Sequence, residues 1–106
     1  MAKAKKNGKR YAIIANRSYG LYAGWIEKVT TQADGTLLVE VSECRHVARW
    51  FGKTGGITSL AAHGLCGSRA SESRIGAPTK ATLSGIVNLF DCSDAARASI
   101  EAATQS

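Results

Sequence analysis

The sequence predicts an α+β domain: a small, mostly antiparallel β-sheet or partial barrel carrying one short helix and a C-terminal helix. Three observations predict it. Short runs rich in aromatic and β-branched residues follow one another through the first half of the chain. An Asp34-Gly35 pair separates two of those runs, the strongest short signal for a hairpin. Helical stretches with clear start and stop residues appear only later, at 57–64 and 93–103. With 106 residues there is room for one hydrophobic core.

Taken in order, "RYAIIANRS" supplies Tyr11, Ile13 and Ile14, an apolar run of strand length. "GLYAGWIEKVTT" reads as a second strand for the same reason. After the Asp-Gly turn, "TLLVEVSE" alternates Leu37, Val39 and Val41 with Leu38, Glu40 and Ser42, so one face is buried and the other wetted. "RHVARWF" is expected to be a separate fourth strand, with Val47 and Arg49 on one face and His46, Ala48 and Trp50 on the other. "ITSLAAHG" reads as a short helix capped by Thr58 or Ser59 and stopped by Gly64. The polar, glycine-bearing "LCGSRASESRIGAPTK", which holds Pro78, reads as a loop. "ATLSGIVNLFDC" reads as a last strand buried on both sides, with Ile86 and Phe90 opposite Val87 and Leu89. "SDAARASIEAA" closes the fold as a helix with Ser93 at its N-cap and Asp94 in its first turn. The predicted order is β-β-β-β-α-β-α.

The formal charge of +6 is unevenly placed. "MAKAKKNGKR" carries Lys3, Lys5, Lys6, Lys9 and Arg10 with no acid, leaving nine basic against eight acidic residues from Tyr11 onward. Residues 1–10 therefore read as a basic disordered tail on a nearly neutral single domain over 11–106. Those five cations are candidate contacts to nucleic acid or to an acidic partner surface. No run approaches the roughly eighteen apolar residues of a membrane-spanning helix, and no leader pattern precedes the domain, so an intracellular protein with no membrane partner is expected.

Catalytic motifs are weak. "GKTGG" lacks the glycine that a P-loop needs five residues before its Gly-Lys pair, because position 47 is Val. Cys44, His46, His63 and Cys66 could close a tetrahedral site, yet C-x-H is tighter than the usual knuckle, so packed thiols and no metal are expected. No nucleophile–base set or carboxylate pair stands out. No cofactor is implied, and the chain does not read as an enzyme.

"CRHVARWFGKTGG", residues 44–56, is different: it interleaves arginines, large aromatics and glycines. A guanidinium matches phosphate oxygens as a fork, and an indole or phenol offers a face on which a base stacks. Arg45, Arg49 and Trp50, with Ser18, Tyr19 and Tyr22 from the preceding turn and strand, form the candidate ligand-binding set. Gly20, Gly24, Gly55 and Gly56 would let a ligand approach the backbone. From the residues alone a second reading stays open, in which the aromatics are core and the arginines protect a sheet edge.

Three blocks, "NRSYGLYAGWIE", "SECRHVARWFGKTGGITSLAAHGL" and "TLSGIVNLFDCSDAARASI", resemble a family of small proteins recurring in tailed-bacteriophage genomes. That family pairs a Ser-Ala-Gly-like turn with an "A-R-R-x-W-Y-W-x-G-A" segment, which falls here on Ser18, Tyr19, Gly20, Arg45, Arg49 and Trp50. The likeness spans about residues 11–102. It implies a phage protein acting in the host cytoplasm, similar to immune-evasion sponges that sequester a cyclic nucleotide signal as homo-oligomers. Two other roles are expected as alternatives: a virion component anchored through its basic arm, and a nucleic-acid-binding protein.

Overall fold

Four consecutive residues, Tyr11 to Ile14, are each buried to within 1% of complete exclusion from solvent, which a strand wetted on one face cannot achieve. The strand that holds them lies between two cores. The computed structural model describes residues 5–6, 9–16, 20–52 and 56–104, with the backbone alone at 5–6. Its strands are β1 (Lys5–Lys6), β2 (Lys9–Asn16), β3 (Leu21–Thr31), β4 (Leu37–Arg49), β5 (Arg74–Ile75) and β6 (Thr79–Asp91). Its helices are α1 (Ile57–His63) and α2 (Asp94–Ala102), with a turn of 3-10 helix at Ala70–Glu72. The fold is α+β, as the sequence predicts.

Every strand pairing is antiparallel. The sheet runs β1-β2-β3-β4-β5, and β6 pairs with both β2 and β4, so the strands return on themselves as an irregular ring. Ala12 and Ile14 point into that ring and meet Ile26, Val39, Val41, Cys44 and Ile86. Tyr11 and Ile13 point the other way, into a layer with Trp25, Val47, Leu60, Ile75, Cys92 and Ile100 beneath the helices. The Tyr11 ring meets Trp25 edge-on, with centroids 5.2 Å apart, a favoured aromatic geometry.

The Asp-Gly hairpin forms as expected. Gly35 takes φ 88°, and the Asp34 carboxylate accepts the Thr36 N–H at 3.0 Å. Beyond it, the two strands expected over 36–43 and 45–51 are one continuous 13-residue strand, β4. Glu43 makes this possible. It is the one described residue other than glycine with positive φ, 52°, and the extra turn it inserts bends β4 without ending it. The first part of β4 pairs with β6 and its last residues pair with β5. Gly24 is needed at this bend, since a Cβ there would stand 2.5 Å from the Val41 side chain. Its absent side chain serves packing and not a ligand.

Helix α1 stops at Gly64 (φ 73°), as expected. It starts after Gly56, with no side-chain cap, and not at Thr58 or Ser59. A Cβ at position 64 would collide with the Ser99 hydroxyl and the Ala96 backbone, so the glycine also lets α1 touch α2. Ser93 caps α2 as predicted, accepting the Ala96 N–H at 3.1 Å while donating to Ala62 O at 2.8 Å. Strand β6 is not buried on both sides: Ile86 is enclosed but Val87 is 45% exposed, because nothing packs on the outside of the ring there.

The basic segment also departs from expectation. Lys9 and Arg10, placed in a disordered tail by charge alone, begin β2 and bond to acids of the domain. Lys9 pairs with Glu27 at 2.6 Å and Arg10 with Asp91 at 3.2 Å. Lys5 and Lys6 form β1 against them. Lys3 lies outside the described residues.

Candidate anion-binding site

Arg45 and Arg49 leave the same strand four residues apart and meet opposite surroundings. Arg45 is 4% exposed. Its Nε donates to Gly76 O at 2.6 Å, and its two terminal nitrogens reach Ile100 O at 2.7 Å, Glu101 O at 3.4 Å and Ile75 O at 3.5 Å. Backbone carbonyls from β5 and from the last turn of α2 thus solvate the buried cation. The last turn of α2 carries the partial negative end of the helix dipole, which suits a guanidinium. The expectation that Arg45 binds a ligand phosphate is corrected: its donors are spent inside the fold, holding the C-terminal helix to the sheet.

Trp50 is likewise moved out of the predicted site. It is half-buried against the helix-side core, with its ring edge near Gly52, a residue that follows β4 and approaches the Gly64 carbonyl. Tyr22 packs beside the ring interior and tilts over His46, its cross-strand partner, at 5.2 Å. Ser18 and Tyr19 lie outside the described residues, as do Lys53 and Gly55. The described members of the predicted set therefore do not converge.

Arg49 does reach a cavity. At the end of β4 it stands opposite Arg74 of β5, both exposed. Together with Ser71, Glu72 and Ser73 they wall a hollow of about 280 Å³. Two guanidiniums placed directly across a strand pair repel one another unless an anion lies between them. The acid in that wall is already engaged, since Arg69 forks onto Glu72 at 3.0 and 3.1 Å. That pair holds the Glu72 carboxyl below its ordinary range, with Arg49 adding to the effect. Phe51 meets two of these arginine side chains: Arg69 lies 4.2 Å and Arg49 5.4 Å from its ring centre, so the ring steers both by cation–π contact. Ser73 Oγ accepts the Phe51 N–H at 3.1 Å, which fixes the serine and leaves its own O–H free to donate.

Arg74, Ser71, Ser73 and Arg69 were not singled out by sequence reasoning. The signal was present in "SRASESR", where arginine and serine recur at short spacing, but a loop rich in polar residues reads as solvated chain. Only its pairing with β4 brings it to Arg49. The thiols take no part: burial pushes Cys44 up to about 11 and Cys92 to about 12, so both stay protonated. Among the described residues, no three of His, Cys, Asp or Glu gather where a metal ion could be held.

No curated protein and no solved structure matches this chain. The family described as a domain of unknown function, DUF6948, matches residues 9–100. That span runs from the first residue of β2 into α2 and takes in the whole ring, the Arg45 anchor and both walls of the Arg49–Arg74 hollow. The chain belongs to the DUF6948 family.

Proposed function

We propose that the protein is a non-enzymatic binder of a small phosphate-bearing anion, the cyclic nucleotides included, held between Arg49 and Arg74. The opposed, exposed guanidiniums carry this reading. Each presents a planar fork of donors suited to phosphate oxygens, and the hydroxyls of Ser71 and Ser73 add neutral donors at the same wall. Capture requires affinity and no chemistry, and the one acid in the wall, Glu72, is held by Arg69.

Isothermal titration against inorganic phosphate, pyrophosphate, cyclic mononucleotides and cyclic dinucleotides tests it, with acetate as the control anion. Saturable binding of at least one phosphate-bearing probe is expected, weakened about tenfold or more in Arg49→Gln and in Arg74→Gln, as for loss of a charged hydrogen bond. Absence of heat with every phosphate-bearing probe, or equal affinity in both variants, overturns the reading.

A further inference from the structure

We infer that the site takes an organic phosphate whose body is flat and carries N–H donors, the chemistry of a nucleoside monophosphate. The phosphate sits at Arg49 and Arg74, and the body extends along the C-terminal end of α2. This rests on the anion-binding reading above and adds the identity of the rest of the ligand.

A second hollow, of about 420 Å³, adjoins the first and shares Ser71 and Ser73 with it as a common wall. The two compartments differ in chemistry. The smaller one contains the arginines, whereas the larger is lined by no charged side chain. Its surface alternates small apolar groups, Leu65 and Ala102 among them, with the hydroxyls of Ser99 and Thr104. Its volume falls in the range of ordinary small-molecule sites, well above the need of a bare phosphate.

Electrostatics fixes which end of a ligand goes where. Helix α2 ends at the larger hollow, with Ala103 at its C-cap. Arg45 already covers the Ile100 and Glu101 carbonyls of that end, so the polar groups left to a ligand there are the hydroxyls of Ser99 and Thr104, which can accept N–H donors. An anionic head is thus drawn to the exposed arginine pair, and an uncharged body with N–H donors suits the hydroxyl-bearing hollow, a division an acyl chain could not use. Small side chains, Ala70 and Ala102, leave the wall low enough for a flat ring to lie against it. The Ser99 hydroxyl accepts Leu65 N–H at 3.0 Å and donates to Ala96 O at 2.8 Å, so the floor is held in place before any ligand arrives.

The test compares three probes on the full chain: inorganic phosphate, ribose 5-phosphate and adenosine 5′-monophosphate. The expected order has the adenosine compound at least about tenfold tighter than the other two, which bind alike. Ala102→Phe, at an exposed helix position, fills the larger hollow. It should abolish that tenfold increment while leaving the affinity for inorganic phosphate unchanged. Adenosine monophosphate binding no tighter than inorganic phosphate overturns this inference and leaves the anion reading standing. Ribose 5-phosphate matching the adenosine compound overturns the assignment of the body to a donor-bearing base. Failure of all three to bind overturns this inference, while the wider panel of phosphate-bearing probes decides the anion reading. Should Ala102→Phe fail to fold, the three-probe order on the unaltered chain decides alone.

Discussion

The two arginines of β4 show how one residue type at neighbouring positions takes unrelated roles. Arg45 lies inward, where carbonyls from two distant elements, 30 to 56 residues away along the chain, need donors. Arg49 lies past the bend, beside a second arginine and two serines, where no carbonyl of the described residues claims it. A guanidinium serves as structural mortar when backbone acceptors surround it, and stays open to solvent where they do not. The number of acceptors near each nitrogen decides the outcome, not the residue or its local sequence.

The largest expected effect separates the two arginines by stability. Arg45→Met should destabilise the fold by about 3 kcal/mol, because several buried carbonyls lose a charged donor at once. Arg49→Gln should change stability by less than about 0.5 kcal/mol, because its exposed contact with Phe51 is offset by repulsion from Arg74. Urea unfolding of both variants checks this, and equal losses would break the comparison. Arg45→Lys should recover little, since a single ammonium cannot span carbonyls on two elements.

A smaller effect is expected beside Arg45. The Tyr11 hydroxyl is buried without a hydrogen-bond partner, and burial with nearby acidic groups pushes its ionisation far above the ordinary range. Tyr11→Phe removes the unpaired group and keeps the ring on Trp25. It should be neutral or stabilising by up to about 1 kcal/mol in thermal unfolding, whereas a marked loss would show that the hydroxyl is satisfied in solution.

The smallest effect sharpens the Arg49 side. The Glu72 carboxyl is held below 4.5 chiefly by Arg69, so the pair supports the fold above that pH and fails as pH falls through the lowered value. Wild-type unfolding midpoints should therefore drop more steeply below pH 4.5 than those of Glu72→Gln. At neutral pH the same variant should bind phosphate somewhat more tightly, because one opposing charge leaves the wall.

Much of the fold was legible because its signals are local. Asp34-Gly35, Gly64 and Ser93 each act within a few residues, through positive φ or a cap, and each does what its type implies. The fusion of two predicted strands into β4 was not legible, since Glu43 is an uncommon residue for a left-handed conformation and announces no bulge. The burial of Arg45 was hidden for another reason: its acceptors come from residues 75, 76, 100 and 101, which no window around position 45 contains. Arg49 was singled out from guanidinium chemistry, but its neighbour Arg74 was not, because the β4–β5 pairing is two residues long and leaves no periodic trace. Trp50 was hard to place because an aromatic beside arginines looks the same whether it stacks on a ligand or packs against the core.

The pairing of β2 with β6 has a consequence for synthesis. Ala12 meets Asp91 and Ile14 meets Leu89, so the ring shuts only when stretches nearly eighty positions apart find each other. On the ribosome, the early strands must wait, half-enclosed, until β6 has cleared the exit tunnel. Both faces of β2 are greasy, so that interval exposes the nascent chain to aggregation, and completion is a late, all-at-once event.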